Sequence, residues 1–163
     1  LEKNLEVNIV EAVKIREYHP DDKVRLLVIL KLNVPKYFPE SKLKDFEEYL
    51  ENNIVKYFVV QLGEELIGGG GINLDVYNTG KISWDCISPK FQGLGIGRKL
   101  LKYRIEYLKS LNNVDKIVVR TSQLAHRFYV KNGFVLQNFI EYYWALGYHS
   151  YHMEMCILEM RVN

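Results

Sequence analysis

The sequence predicts an α+β or mixed α/β fold built on a mixed sheet, and three observations carry that expectation. Apolar runs of strand character alternate with runs of helical period, in an irregular order. The 163 residues, 48% hydrophobic and 26% charged, suit one globular domain spanning residues 1–163. Finally, an apolar strand passes into a long helix through a short loop holding Gly93, Gly95 and Gly97, a joint that makes an anion site.

Taken in order, Val13 to Glu17 reads as a strand, and Pro20-Asp21-Asp22 opens a helix whose Val24, Leu27, Val28 and Leu32 recur on one face until Pro35 ends it. A second helix follows Pro39-Glu40-Ser41, with Leu43, Phe46 and Leu50 inward and Glu47 and Glu48 outward. Tyr57-Phe58-Val59-Val60 and Leu66-Ile67-Gly68 form a hairpin turning at Gly63-Glu64-Glu65. The glycines Gly68 to Gly71 mark either a bulge or a close approach by another backbone or a ligand. Lys81 to Ile87 is the next strand, entered through Tyr77-Asn78-Thr79-Gly80, and it feeds the glycine loop and a helix carrying Leu101, Ile105 and Leu108. Lys116 to Val119 is a short buried strand. Ser122 caps a further helix, which Gly133 stops, and strands over Phe134 to Tyr143 and Tyr151 to Leu158 turn near Leu146-Gly147.

Bulk charge narrows the function. A net charge of +2 gives no electrostatic reason to expect a nucleic-acid binder. No window approaches the ~20 apolar residues of a membrane span, and Leu1 to Glu6 lack a leader pattern, so a cytoplasmic location is expected. The two cysteines, Cys86 and Cys156, lie in apolar strand-like runs and read as buried free thiols. His149 and His152 point to opposite faces of a strand, which speaks against a metal pair.

The loop Gln92-Gly93-Leu94-Gly95-Ile96-Gly97-Arg98-Lys99 turns backbone N–H groups toward one point and adds the partial positive charge of a helix start, with Arg98 and Lys99 as full charges nearby. Its spacing fails the dinucleotide fingerprint, because Arg98 or Leu100 stands where the last glycine belongs. It also fails the nucleoside-triphosphate loop, which needs a hydroxyl for magnesium. What remains, Gln92-x-x-Gly95-x-Gly97, resembles the acyl-CoA pyrophosphate loop of the GNAT superfamily of acetyl-CoA-dependent N-acetyltransferases. Further along, Ala125-His126-Arg127-Phe128-Tyr129-Val130-Lys131-Asn132-Gly133-Phe134 resembles a second signature of the same superfamily.

That resemblance implies a central, mostly antiparallel sheet of about six or seven strands flanked by helices, splayed where acyl-CoA enters. It implies transfer of an acetyl group from acetyl-CoA to an amine in a ternary complex, with no metal and no covalent intermediate. Backbone groups at Cys86 and Ile87 would meet the thioester, and Gln92 through Arg98 the pyrophosphate. Ala125 and Phe128 would flank the cofactor, as would Ser122 where many relatives have asparagine. Tyr129 occupies the family's general-acid position. Lys81 stands where many relatives carry a glutamate base, and Asp85, on the same strand face as Ile87, is the nearest carboxylate able to take that role. The cluster Tyr142, Tyr143, Trp144, Tyr148 and Tyr151 lines an acceptor pocket, forms a dimer contact, or packs the hairpin; Tyr37 and Phe38 would close the pocket's other side. A chain that binds acyl-CoA as a sensor, without catalysis, is the alternative that the missing glutamate leaves open.

Overall fold

The computed structural model describes residues 8–158. A helical turn over residues 8–12, α1, leads into strand β1 (Lys14–Glu17) and a 3-10 turn at Pro20–Asp22. Helix α2 (Lys23–Leu32) and helix α3 (Lys42–Glu48) follow, the latter running on as a π-helical turn over Tyr49–Asn53. Then come β2 (Lys56–Leu62), β3 (Glu65–Asp75), β4 (Thr79–Ile87), α4 (Ile96–Ser110), β5 (Lys116–Thr121), α5 (His126–Lys131), β6 (Val135–Ala145) and β7 (Tyr148–Cys156). The seven strands make one sheet in the order β1-β2-β3-β4-β5-β7-β6. Every neighbouring pair is antiparallel except β4 with β5, which is the mixed, mostly antiparallel sheet expected. No helix among the described residues is long and apolar enough to cross a membrane.

Side chains alternate across the sheet and build a core on each face. On β2, Phe58 and Val60 pack with Leu100, Leu101, Ile105 and Leu108 of α4, whereas Tyr57 and Val59 pack with Leu26, Ile29 and Leu30 of α2 and Phe46 of α3. The inward face of α2 differs from the one expected: Val24, Val28 and Leu32 are 69%, 42% and 53% exposed, while Leu26, Ile29 and Leu30 are buried. With apolar residues at seven of its ten positions, Lys23–Leu32 carries two competing stripes, and periodicity alone cannot choose between them.

The feature that creates the site is an uneven pairing of β4. Thr79 to Ile82 pair with β5, and there the parallel ladder stops. On the other side β4 keeps pairing with β3 as far as Ile87, opposite Gly68. Ser83 to Ile87 therefore border a gap, with Arg120 and Thr121 of β5 turned to β7 across it. The four glycines of β3 mark a bulge, as one expectation had it, and they also admit the protein's own side chains rather than a ligand. The register shifts between Gly69 and Gly71, and side chains fill the space where their Cβ atoms would be: Tyr57 at Gly69, Arg104 at Gly70 and Tyr49 at Gly71. Opposite the shift, Trp84 takes φ +53°, a region that bulky residues seldom enter. Its ring is held 4.9 Å from Phe46 and 6.4 Å from Phe38.

Candidate active site

A cavity of about 1120 Å³ opens at the gap between β4 and β5, bordered by the glycine loop, the start of α5 and the β6–β7 hairpin. The loop supplies backbone donors. Gly93 and Gly95 have φ +75° and +87°, which aim successive peptide groups as an L-residue rarely would. The first helical bond of α4 is Lys99 N–H to Gly95 C=O, so the N–H groups of Ile96, Gly97 and Arg98 have no acceptor within the helix. Together with the helix dipole they form an anion site.

Not every loop side chain faces the cavity. Gly93, Gly95, Gly97 and Arg98 line it, whereas Ile96 is buried in the core and Leu94 packs against it, leaving these two only their backbone for a ligand. Lys99 departs from the expectation of a nearby cation: its Nζ donates to the carbonyls of Val10 and Val13 at 2.7 and 2.8 Å. Gln92 is a brace, its Nε2 donating to Asn33 Oδ1 at 2.7 Å and to the Ile87 carbonyl at 2.9 Å. Ser122 does not cap α5; its hydroxyl accepts the Leu124 N–H two residues on, and Ala125 holds the N-cap without a side-chain bond. Ser122, Ala125 and Phe128 nevertheless all line the cavity, with Phe128 lying 3.8 Å from where a Cβ on Gly97 would be.

Backbone pairing separates Cys86 from Ile87. Ser88 N–H donates to the Ile67 carbonyl, so the antiparallel alternation commits Cys86 to Gly69 of β3 and turns the peptide groups of Ile87 away from β3. The Ile87 carbonyl accepts from Asn33 and Gln92, which leaves the Ile87 N–H as the donor facing the gap. Cys86 contributes no backbone donor, contrary to expectation. Its thiol is buried 3.9 Å from the Tyr57 hydroxyl, and burial, offset only partly by that hydroxyl and reinforced by Asp85, pushes it up to about 12. Such a thiol is no nucleophile at neutral pH; Cys156, expected to be buried as well, is exposed at the end of β7.

The floor of the cavity is a network of three side chains. Tyr129 donates its hydroxyl to Asp85 Oδ2 at 2.5 Å. Asp85 Oδ1 accepts from Nη1 of Arg104, which also donates to the Gly71 carbonyl at 3.1 Å. Arg104 is wholly buried, and the side chain of Asp85 is 28% exposed toward the cavity. Burial, and then the charge of Asp85, push the Tyr129 phenol well above its ordinary value against the opposing pull of Arg104. Lys81, at the position of the missing glutamate, pairs instead with Asp75 at 2.6 Å.

The far side of the cavity is aromatic. Tyr37, Phe38, Trp84, Trp144 and Tyr148 line it, and the Tyr148 hydroxyl donates to the Pro35 carbonyl at 2.5 Å, tying the hairpin to the segment after α2. Of the remaining cluster, Tyr142 and Tyr143 are exposed, and Tyr151 stacks on His126 at 4.2 Å. The His149 ring accepts the Tyr142 N–H, and His152 faces Glu154. Among the described residues no group of three or more His, Cys, Asp or Glu is gathered as a metal site.

Sequence reasoning passed over Arg104 and Asn33. Arg104 carried a signal, since it falls within the stripe formed by Leu100, Leu101, Ile105 and Leu108, where a charged residue has to be explained by a buried partner.

Comparison with known proteins bears on the fold and the family. The chain resembles the solved structures of an aminoglycoside 6'-N-acetyltransferase complexed with coenzyme A (16% identity, TM-score 0.73, 88% of this chain and 97% of that one). It also resembles PaiA N-acetyltransferase from Thermoplasma acidophilum in complex with coenzyme A (15%, 0.69, 88% and 98%). A third likeness is to spermidine/spermine N-acetyltransferase SpeG from Vibrio cholerae (20%, 0.70, 95% and 99%). At these identities the likeness is one of fold. No curated protein is significantly similar to the chain in sequence. The model of the acetyltransferase (GNAT) family matches residues 23–134, a span that runs from α2 through the glycine loop to Phe134 and so contains the loop, Asp85, Arg104 and Tyr129: the chain belongs to the GNAT acetyltransferase family.

Proposed function

We propose that the protein is an N-acetyltransferase that moves the acetyl group of acetyl-CoA to a primary amine by direct attack in a ternary complex. The observation that carries this reading is the convergence, in one cavity at the β4–β5 gap, of the glycine-loop donors with the Asp85–Tyr129 pair. The loop takes the pyrophosphate, on the N–H groups of residues 93–98 and on Arg98. The acyl arm lies along the gap, with Phe128 and Ala125 on one side, and the Ile87 N–H points at the thioester oxygen, where a donor stabilises the developing oxyanion. The amine enters from the aromatic side, between Phe38 and Tyr148.

Chemistry then needs a group to take the amine's proton and one to give the thiolate its proton. Asp85 is the carboxylate on the cavity floor, and Tyr129 is the phenol beside it. Lys81 offers nothing to this step, being an ammonium paired with Asp75. The test combines calorimetry with acetyl-CoA and thiol release across a panel of amines: aliphatic, aromatic, polyamine, peptide amino termini and peptide lysines. Binding and turnover, with kcat lower by about 10²–10⁴-fold in Tyr129→Phe, is the expected result. Binding without turnover on any amine would replace the enzyme by an acyl-CoA sensor.

A further inference from the structure

Asp85 borders the cavity and is hydrogen-bonded to the acid. Its Oδ1 is held by Arg104, and its Oδ2 receives the Tyr129 hydroxyl at 2.5 Å. An independent base and acid would each exchange protons with solvent separately, but these two share a hydrogen bond. Building on the acetyltransferase reading, we propose that Asp85 and Tyr129 form one proton relay, with Arg104 as the positioning residue that holds the carboxylate between amine and phenol. The carboxylate takes the proton of the attacking amine; Tyr129 passes its phenolic proton to the departing thiolate and receives the proton from Asp85.

The step balances. The C–N bond forms as the C–S bond breaks, one N–H bond is lost and one S–H bond gained, and Asp85 ends as a carboxylate and Tyr129 as a phenol. No proton is exchanged with water.

Two features require the halves to move together. The phenol lies buried beside a carboxylate and is held well above its ordinary ~10, so handing a proton to a thiolate, whose thiol ordinarily titrates near ~8.5, would leave a phenolate facing a carboxylate. Reprotonation from Asp85 removes that charge. Conversely, Asp85 is the only ion-pair partner of Arg104 among the described residues, and Arg104 Nη2 has no hydrogen-bond partner. A carboxyl left neutral would strand a buried guanidinium, which is strongly unfavourable. The architecture preserves the contact: a Cβ on Gly70 would lie 2.5 Å from Arg104 Nη1 and 2.7 Å from Asp85 Oδ1, so only glycine leaves room for the pair.

The experiment starts with thiol release by the wild-type protein on acetyl-CoA and the amine panel. No turnover at all removes the acetyltransferase reading and the relay with it. Given turnover, the relay is tested alone by comparing Asp85→Asn, Tyr129→Phe and the double variant. A relay makes the double variant no more than about threefold slower than the slower single one, whereas two independent groups, each contributing about 10²–10⁴-fold, make the losses multiply and overturn the proposal. Rates in H₂O–D₂O mixtures give a curved proton inventory for the wild type, from two protons in flight, and a straight one for Tyr129→Phe; a straight wild-type inventory speaks against the relay. Arg104→Lys recovers kcat relative to Arg104→Gln at unchanged KM for acetyl-CoA, and equal kcat in the two variants removes the positioning role. If Asp85→Asn fails to fold, the charge-balanced Asp85→Asn/Arg104→Gln variant takes its place in the cycle.

Discussion

The chain has two glycine-rich stretches that look alike in composition and do opposite things. Gly93 and Gly95 are needed for their backbone: each sits at positive φ, and among the described residues nothing lies within 4 Å of a Cβ on Gly93 and only Val10 Cγ2, at 3.5 Å, for Gly95. Gly69, Gly70 and Gly71 lie at the register shift of β3 without positive φ and are needed for their emptiness, since Tyr57, Arg104 and Tyr49 fill the places of the missing side chains. One stretch shapes a surface for a ligand. The other opens a volume for the protein's own Arg104–Asp85–Tyr129 network. Glycine content therefore says little until one asks whether a dihedral or a volume requires it.

Substitution can break this distinction, and the largest effect belongs to the buried stretch. Gly70→Ala drives a methyl into the Arg104–Asp85 contact and should lower unfolding free energy by about 3–5 kcal/mol, the scale of disrupting a buried ion pair, read by urea denaturation. An effect as mild as that of Gly93→Ala would refute the volume argument. Gly95→Ala comes next, at about 1–2 kcal/mol for forcing an L-residue into the left-handed region, with weaker acetyl-CoA binding by calorimetry. Gly93→Asn, which tolerates that region, should bind acetyl-CoA better than Gly93→Ala. A difference in reactivity sharpens the comparison without changing the fold: at pH 8 a thiol reagent should label exposed Cys156 and spare buried Cys86, and labelling of Cys86 in Gly69→Ala would report that its β3 partner had been pushed away.

A pH dependence adds a readout of a different kind. The Cys86 thiol is held at about 12 when folded and titrates near ~8.5 in an unfolded chain, so the folded state keeps a proton that the unfolded chain gives up. That contribution to stability is complete below about pH 8.5 and is lost as pH rises toward 12. Cys86→Ala should flatten the alkaline loss of stability measured over this interval.

What the sequence could convey was local. The passage from β4 through the loop to α4 and the left-handed stop at Gly133 follow from short-range spacing; Asp85 and Tyr129 follow as acid–base candidates from the resemblance to the family, and the structure places these two side chains in hydrogen-bond contact. What stayed hidden depended on distant partners. Gln92 is claimed by Asn33, 59 residues away, and Lys99 by the carbonyls of Val10 and Val13. The face of α2 was ambiguous because the helix is apolar on more than one side. Arg104 could be suspected from its place in an apolar stripe, but its partner Asp85, 19 residues earlier on another element, could not be read from spacing.

The half-paired β4 has a thermodynamic consequence. A strand whose ladder ends at Ile82 on one side leaves the sheet incomplete from Ser83 to Ile87, so a ligand that bonds there supplies cohesion the polypeptide lacks. Occupancy and folding are then linked: at a ligand concentration one hundred times its dissociation constant the folded state gains about 2.7 kcal/mol. Hydrogen exchange at the β4–β5 margin would be the place to see that gain, because the amides bordering the gap open most readily when it is empty and least when a ligand closes it.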